Sequence, residues 1–307
     1  MSATTARLQP AQLRQILWLT LGAIALYLAQ RALPTGTNLH QGDFRVEGGG
    51  TQLEFCDPSN PQFLPVVAVR SPIVTTLRPL TAPAIGEPTG YVLTLATAGG
   101  KPIGPVDLLV AHTRKLHLMV VDPTLADYQH LHPEPGANPG EWTFTLTPRL
   151  AGNYRVFADF TPVATGRGLY ASADFAVPGE VPVNLRILNW TAERDGLRHE
   201  LRPDAKIIRA GQPARLIYTV TAPDGGPVKL EPVMDAYAHL VAFDRDRGGF
   251  AHLHPQALDP LQPPEDPRAP QLEFTLTIPE PGLYVIWAQI QIDGAEHFTP
   301  FWFEVTP

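Results

Sequence analysis

The sequence predicts an all-β chain, with two tandem immunoglobulin-like β-sandwich domains following one N-terminal transmembrane helix. Three observations lead there. Proline accounts for 34 of 307 residues, and proline breaks helix interiors but suits turns and strand edges. From about residue 42 the chain alternates short runs rich in β-branched and aromatic residues with Gly/Pro/Asp turns, the pattern of half-buried pleated surfaces. The chain also repeats itself once, in copies of about the length of an immunoglobulin-like module.

The N-terminal element comes first. Residues 16–29 carry no charge, Arg7 and Arg14 precede them and Arg31 follows. The span from Gln15 to Leu33 would form a helix of about 28 Å, enough to cross a bilayer. A cleavable signal peptide wants small residues one and three places before the cut, and Ala29 has Tyr27 in the outer place. An uncleaved anchor is the expectation, with a cleaved signal peptide as the alternative. Basic residues ahead of the span hold the N-terminus in the cytoplasm. The expected address is therefore the cytoplasmic membrane, single-pass, with the modules in the periplasm or cell exterior. Net charge is −7 with no Lys/Arg cluster, so no nucleic-acid partner is expected. The single cysteine, Cys56, allows no internal disulfide.

Four segments follow: a cytoplasmic tail and anchor (1–33), a Pro-rich lead-in (34–83), a first module (84–179) and a second (182–306). The lead-in is expected to form short strands at 43–48, 51–56 and 63–70, packed on the first module. Residues 116–133 (LHLMVVDPTLADYQHLHP) match 238–255 (AHLVAFDRDRGGFAHLHP) at 7 of 18 positions, and 144–160 match 274–290 at 7 of 17. The offset grows from 122 to 130, which places an insertion in the Pro-rich stretch 256–270.

The repeat preserves histidines. Both copies contain His-x12-His-x-His-Pro: His117, His130 and His132 in the first, His239, His252 and His254 in the second. Residues i and i+2 of a strand share a face, so His130 and His132 point together while Leu131 turns to the core. A hairpin turning at Asp122-Pro-Thr, or at Asp244-Arg-Asp, brings the first histidine beside that pair. Three clustered imidazoles suit zinc, copper or nickel. His112 and Met234 occupy corresponding places five residues ahead of the triplets and extend the candidate ligand set, as does His297 after Glu296. The bland alternative is a hydrogen-bonded histidine network that braces each hairpin. His40 and His199 are expected in solvated loops.

The motifs Leu116-His-Leu…Tyr-Gln-His-Leu-His-Pro and Ala238-His-Leu-Val…Phe-Ala-His-Leu-His-Pro, with Gly152-Asn-Tyr and Pro281-Gly-Leu-Tyr, carry a resemblance over residues 86–306. It is to bacterial secreted or membrane-anchored proteins with HLHP-bearing immunoglobulin-like modules. Those resemble YtkA/FixH-like domains and, more distantly, periplasmic copper-binding sandwiches. The resemblance implies an extracytoplasmic setting and metal handling. The expected function is non-enzymatic binding of a transition metal, copper favoured and zinc the alternative, weakening as pH falls through about 6.5. The other reading is an interaction or assembly module docking an envelope protein partner, with structural histidines.

Overall fold

The computed structural model describes residues 9–32, 39–45, 61–256 and 261–307. Helix α1 (Pro10–Ala32) opens with proline, which fits the first helical turn, and continues through Leu, Ala and Gln, all good helix formers. Its 23 residues span about 34 Å. It is long and apolar enough to cross a membrane, and none of that span is buried against the rest of the protein.

The first module holds eight strands: β1 (Ile73–Pro79), β2 (Thr89–Thr97), β3 (His117–Val121), β4 (Tyr128–Leu131), β5 (Glu134–Pro135), β6 (Glu141–Leu146), β7 (Gly152–Phe160) and β8 (Leu169–Val177). They form two four-stranded sheets, β1-β2-β6-β5 and β4-β3-β7-β8. The second module holds β9 (Thr191–Arg194), β10 (Leu197–Pro203), β11 (Ile208–Arg209), β12 (Pro213–Thr221), β13 (Leu230–Glu231), β14 (His239–Asp244), β15 (Phe250–Leu253), β16 (Gln271–Thr277), β17 (Gly282–Ile292) and β18 (Ala295–Thr306). Their order is β16-β12-β10-β9 in one sheet and β11-β18-β17-β14-β15 in the other, with β13 also on β17. The fold is all-β, with two sandwiches, as the sequence predicts.

Each sandwich closes on its own core. Tyr91, Leu93, Trp142 and Tyr154 fill the first, and Leu216, Tyr218, Phe274 and Phe301 fill the second. A third apolar cluster joins the two modules. Met119, Val121, Tyr128 and Phe157 meet Val241, Phe243, Phe250 and Trp287 there, with Phe157 and Phe250 ring centroids 5.2 Å apart and Tyr128 and Phe243 5.4 Å apart. The sheet carrying β3 thus lies face to face with the sheet carrying β14.

This packing changes how the histidine strands read. Every residue of β3 is buried, as are the first five of β14. Leu118 and Val120 point into the first sandwich while Met119 and Val121 point into the inter-module cluster. The expected half-exposed alternation therefore gives way to a strand covered on both faces, because the second module takes the place of solvent.

The lead-in is less regular than expected. Gln41–Phe44 is a 3-10 turn where the expected strand 43–48 begins, and residues 46–48 and 51–56, including Cys56, lie outside the described residues. Residues 63–70 form no strand. Leu64 bridges to Phe250 and Gln62 to Thr277, so this stretch pairs with the second module, whereas Leu39 and Phe44 pack into the first. Strand β1 lies ahead of residue 84 and edges the first sheet.

Candidate metal centre

The β3–β4 hairpin sets the first triad. Leu118 pairs with Leu131 and Met119 with His130; one step further along the same register, His132 stands opposite His117. Asp122 closes the turn, its Oδ1 accepting the backbone N–H of Ala126 and of Asp127, both at 2.8 Å. In the second module Leu240 pairs with Leu253 and Val241 with His252. Asp244 Oδ1 accepts the N–H of Gly249 at 2.9 Å. In each triad one ligand atom per histidine lies within 4.8 Å of the others.

The outer nitrogens decide the tautomers. His117 Nε2 lies 3.0 Å from the carbonyl oxygen of Ala111, and a carbonyl only accepts, so Nε2 carries the proton. His130 Nδ1 lies 2.9 Å from Gln289 Oε1. Gln289 donates through Nε2 to Glu296 at 3.0 Å, which fixes Oε1 as an acceptor and His130 Nδ1 as a donor. The inner nitrogens, His117 Nδ1 and His130 Nε2, then both present lone pairs, 3.3 Å apart. The second triad repeats the spacing and the first of these bonds. His239 Nε2 donates to the Val233 carbonyl at 2.9 Å, and His239 Nδ1 stands 3.2 Å from His252 Nε2. His252 Nδ1 faces Asp159 Oδ2 at the longer distance of 3.5 Å, and burial pushes that carboxyl up to about 7. His132 Nε2 and His254 Nε2 are buried with no hydrogen-bond partner among the described residues.

Two facing lone pairs repel unless a proton or a cation lies between them. A proton is disfavoured. Burial, with neighbouring imidazoles adding, lowers His117 and His132 to about 4 and His239 to about 3. His130, His252 and His254 are held well below the ordinary 6.5 by the same causes. The six rings are therefore neutral at pH 7. The inner pair matches a tetrahedral ion, since nitrogens each about 2.0–2.1 Å from it stand about 3.3 Å apart, and the third ring's nitrogen lies within 4.8 Å of both. The outer N–H bonds to carbonyl and amide oxygens are those that orient metal-binding imidazoles. Each buried nitrogen left unmatched costs about 1–3 kcal/mol, a cost that a pure packing role for these rings leaves uncompensated.

The geometry stands beside a family match. The family described as a domain of unknown function, DUF8832, matches residues 74–178 and 192–307. The chain belongs to this family. Both triads of this DUF8832 chain lie inside the matched residues. The HLHP likeness to YtkA/FixH-like domains remains one of motif. No curated protein is similar in sequence. Among solved structures, a putative membrane-anchored protein from Corynebacterium diphtheriae is 9% identical, covering 76% of this chain and 59% of its own, with a TM-score of 0.24. A DUF4785 family protein from Legionella pneumophila is 12% identical, covering 75% and 56%, with a TM-score of 0.24. The adhesin InvE from Yersinia pseudotuberculosis is 14% identical, covering 75% and 58%, with a TM-score of 0.23. The chain thus spans less than two thirds of each of these three.

The remaining candidate ligands separate. His112 and Met234 sit at the tips of matching turns, Ala111–Arg114 and Val233–Ala236, each closed by a bridge between its ends. Their central residues have positive φ: His112 47°, Thr113 68°, Met234 51° and Asp235 62°. That is the backbone of a mirror-image hairpin turn, strained for a β-branched residue such as Thr113. The same turns supply the carbonyls of Ala111 and Val233. His112 belongs to the first module yet stacks on His254 of the second, at 3.8 Å between centroids and 20° between planes. His297 is in neither triad; its Nδ1 pairs with Asp195 Oδ2 at 3.0 Å. His199 is on β10, fully buried, with Nδ1 2.7 Å from the Tyr218 hydroxyl, not in a solvated loop.

Asp159 and Gln289 were not among the expected site residues. They occupy equivalent places, opposite His117 on β7 and opposite His239 on β17. The repeat aligns them, and each is polar on a face otherwise given to Phe157 or Trp287, which is the signal that marks them.

Proposed function

We propose that this is a membrane-anchored, extracytoplasmic protein that binds a transition metal through its two histidine triads and does not catalyse a reaction. The observation that carries the reading is the pair of inner nitrogens, His117 Nδ1 with His130 Nε2 and His239 Nδ1 with His252 Nε2, at 3.3 and 3.2 Å. Both partners of the first pair present lone pairs, and both pairs stand at the separation one tetrahedral ion imposes. An all-imidazole set suits zinc and copper, and copper(II) binds such donors more tightly in the divalent series. Copper is therefore the first choice and zinc the second. Burial keeps the ligands in their metal-binding form well below pH 6.5, so the acid weakening expected at 6.5 moves towards pH 4. The binding role rests on the outer N–H groups, which are spent on holding the rings rather than left to exchange protons with a substrate. Helix α1 supports the anchor, and the motif likeness to extracytoplasmic modules supports the side of the membrane.

The test is metal analysis of the full chain in detergent, followed by Cu(II) and Zn(II) titration against a competing chelator. The proposal expects binding tighter than micromolar, lost when His117, His130, His239 and His252 are replaced together by Ala. Binding weaker than that, or unchanged by the replacement, overturns it.

A further inference from the structure

We infer that the two triads form one binuclear centre, in which two ions sit side by side across the module boundary and each feels the other. This rests on the metal reading above and goes beyond it, because two modules in a row need not bring their sites together.

The spacing of the rings is the first argument. Within the triads ring centroids lie 4.7–5.5 Å apart. Between them His130 and His252 lie 5.4 Å apart, His117 and His252 5.9 Å, and His130 and His239 6.3 Å. The six imidazoles form one continuous cluster with almost no gap at the boundary. An ion at an imidazole nitrogen stands about 3 Å from that ring's centre, so ions on His130 and His252 are at most about 12 Å apart.

Reciprocal support is the second. The middle histidine of each triad is held from the opposite module: His130 by Gln289 on β17, and His252 by Asp159 on β7. His112 reaches across the same boundary to stack on His254. Neither triad keeps all its supports if the modules part, so filling one triad stiffens the frame of the other. Charge works against this help. Two cations at such a distance repel, and the acidic groups on these supports are the Asp159 carboxyl facing His252 and Glu296 behind Gln289. The second ion should therefore bind on the order of tenfold more weakly than the first, or worse.

The test is Cu(II) titration of the full chain in detergent, followed by electron paramagnetic resonance. The first equivalent should give a sharp mononuclear signal. The second should broaden or diminish it and bring up a half-field transition, the mark of two interacting spins. The His254→Ala and His132→Gln variants, each checked for a native circular dichroism spectrum, should bind one equivalent whose signal stays sharp; either folded variant suffices. Two equivalents with additive, sharp signals and equal affinities overturn the binuclear centre, and so does a single equivalent in the parent chain. Both results leave the metal reading standing. Failure of Cu(II) to bind at all overturns that reading and this one with it.

Discussion

The two triads have the same inner geometry and different surroundings. The first leans on a neutral amide, Gln289, and the turn that supplies its carbonyl ends in His112. The second faces the carboxyl of Asp159 at 3.5 Å, its own turn carries Met234, and it receives His112 as a stacked neighbour from the other module. A carboxylate behind an imidazole raises its basicity and steadies the charge of a bound cation. Repetition thus preserved the three histidines of each hairpin, and divergence changed what stands behind them. On the proposed metal reading the second triad should hold a dication more tightly, because a bound cation favours the charged form of Asp159, a carboxyl that burial alone pushes up to about 7.

The comparison can be broken at several depths. Replacing His252 and His254 together by Ala should abolish the tighter of two binding events and halve the stoichiometry in a chelator titration. Loss of the weaker event instead reverses the ranking. Asp159→Asn, although it lies in the first module, should weaken the second triad by about 10–100-fold while sparing the first. An effect confined to the first module removes the cross-module support. Gln289→Ala should do the reverse, weakening the first triad by about tenfold. His112→Ala is the smallest local change, with an expected loss of a fewfold at the second triad and none at the first.

Acid should separate folding from binding. Free histidine titrates near 6.5, whereas burial holds His117 and His132 to about 4 and His239 to about 3. Between those values the unfolded chain binds protons that the folded chain refuses, so folding stability rises with pH. The metal-free protein should keep its full stability above pH 6.5 and lose it as pH falls towards 4, by up to about 1.4 kcal/mol per pH unit for a fully buried group such as His239. Melting temperatures across that window should fall less steeply in His239→Gln. A flat profile in the parent means that these rings are not held neutral.

The hairpins were legible in the sequence because their information is local. A strand period of two and a gap of twelve place His117, His130 and His132 on one face, and the repeat doubles the signal. The two sandwiches were legible from strand and turn chemistry in the same way. The stacking of one sandwich on the other was not, since Met119 and Phe243 look like ordinary core residues until each is seen on a strand already buried on its other face. Asp159 and Gln289 escaped for the same reason, because their roles exist only across that boundary. His297 illustrates the opposite limit. Its place near the last hairpin made it a candidate, but in the antiparallel register of β17 and β18 it stands opposite Ile290, on the face away from Gln289, where Asp195 takes it.

X-ray absorption on the copper-loaded full chain tests the central claim, that the facing nitrogens of each triad hold a metal ion. The account predicts a first shell of about three nitrogens near 2.0 Å with the outer scattering of imidazole rings, lost when His130 and His252 are both replaced by Ala. A shell of oxygens alone, of sulfur from Cys56, or one unchanged by that replacement contradicts it.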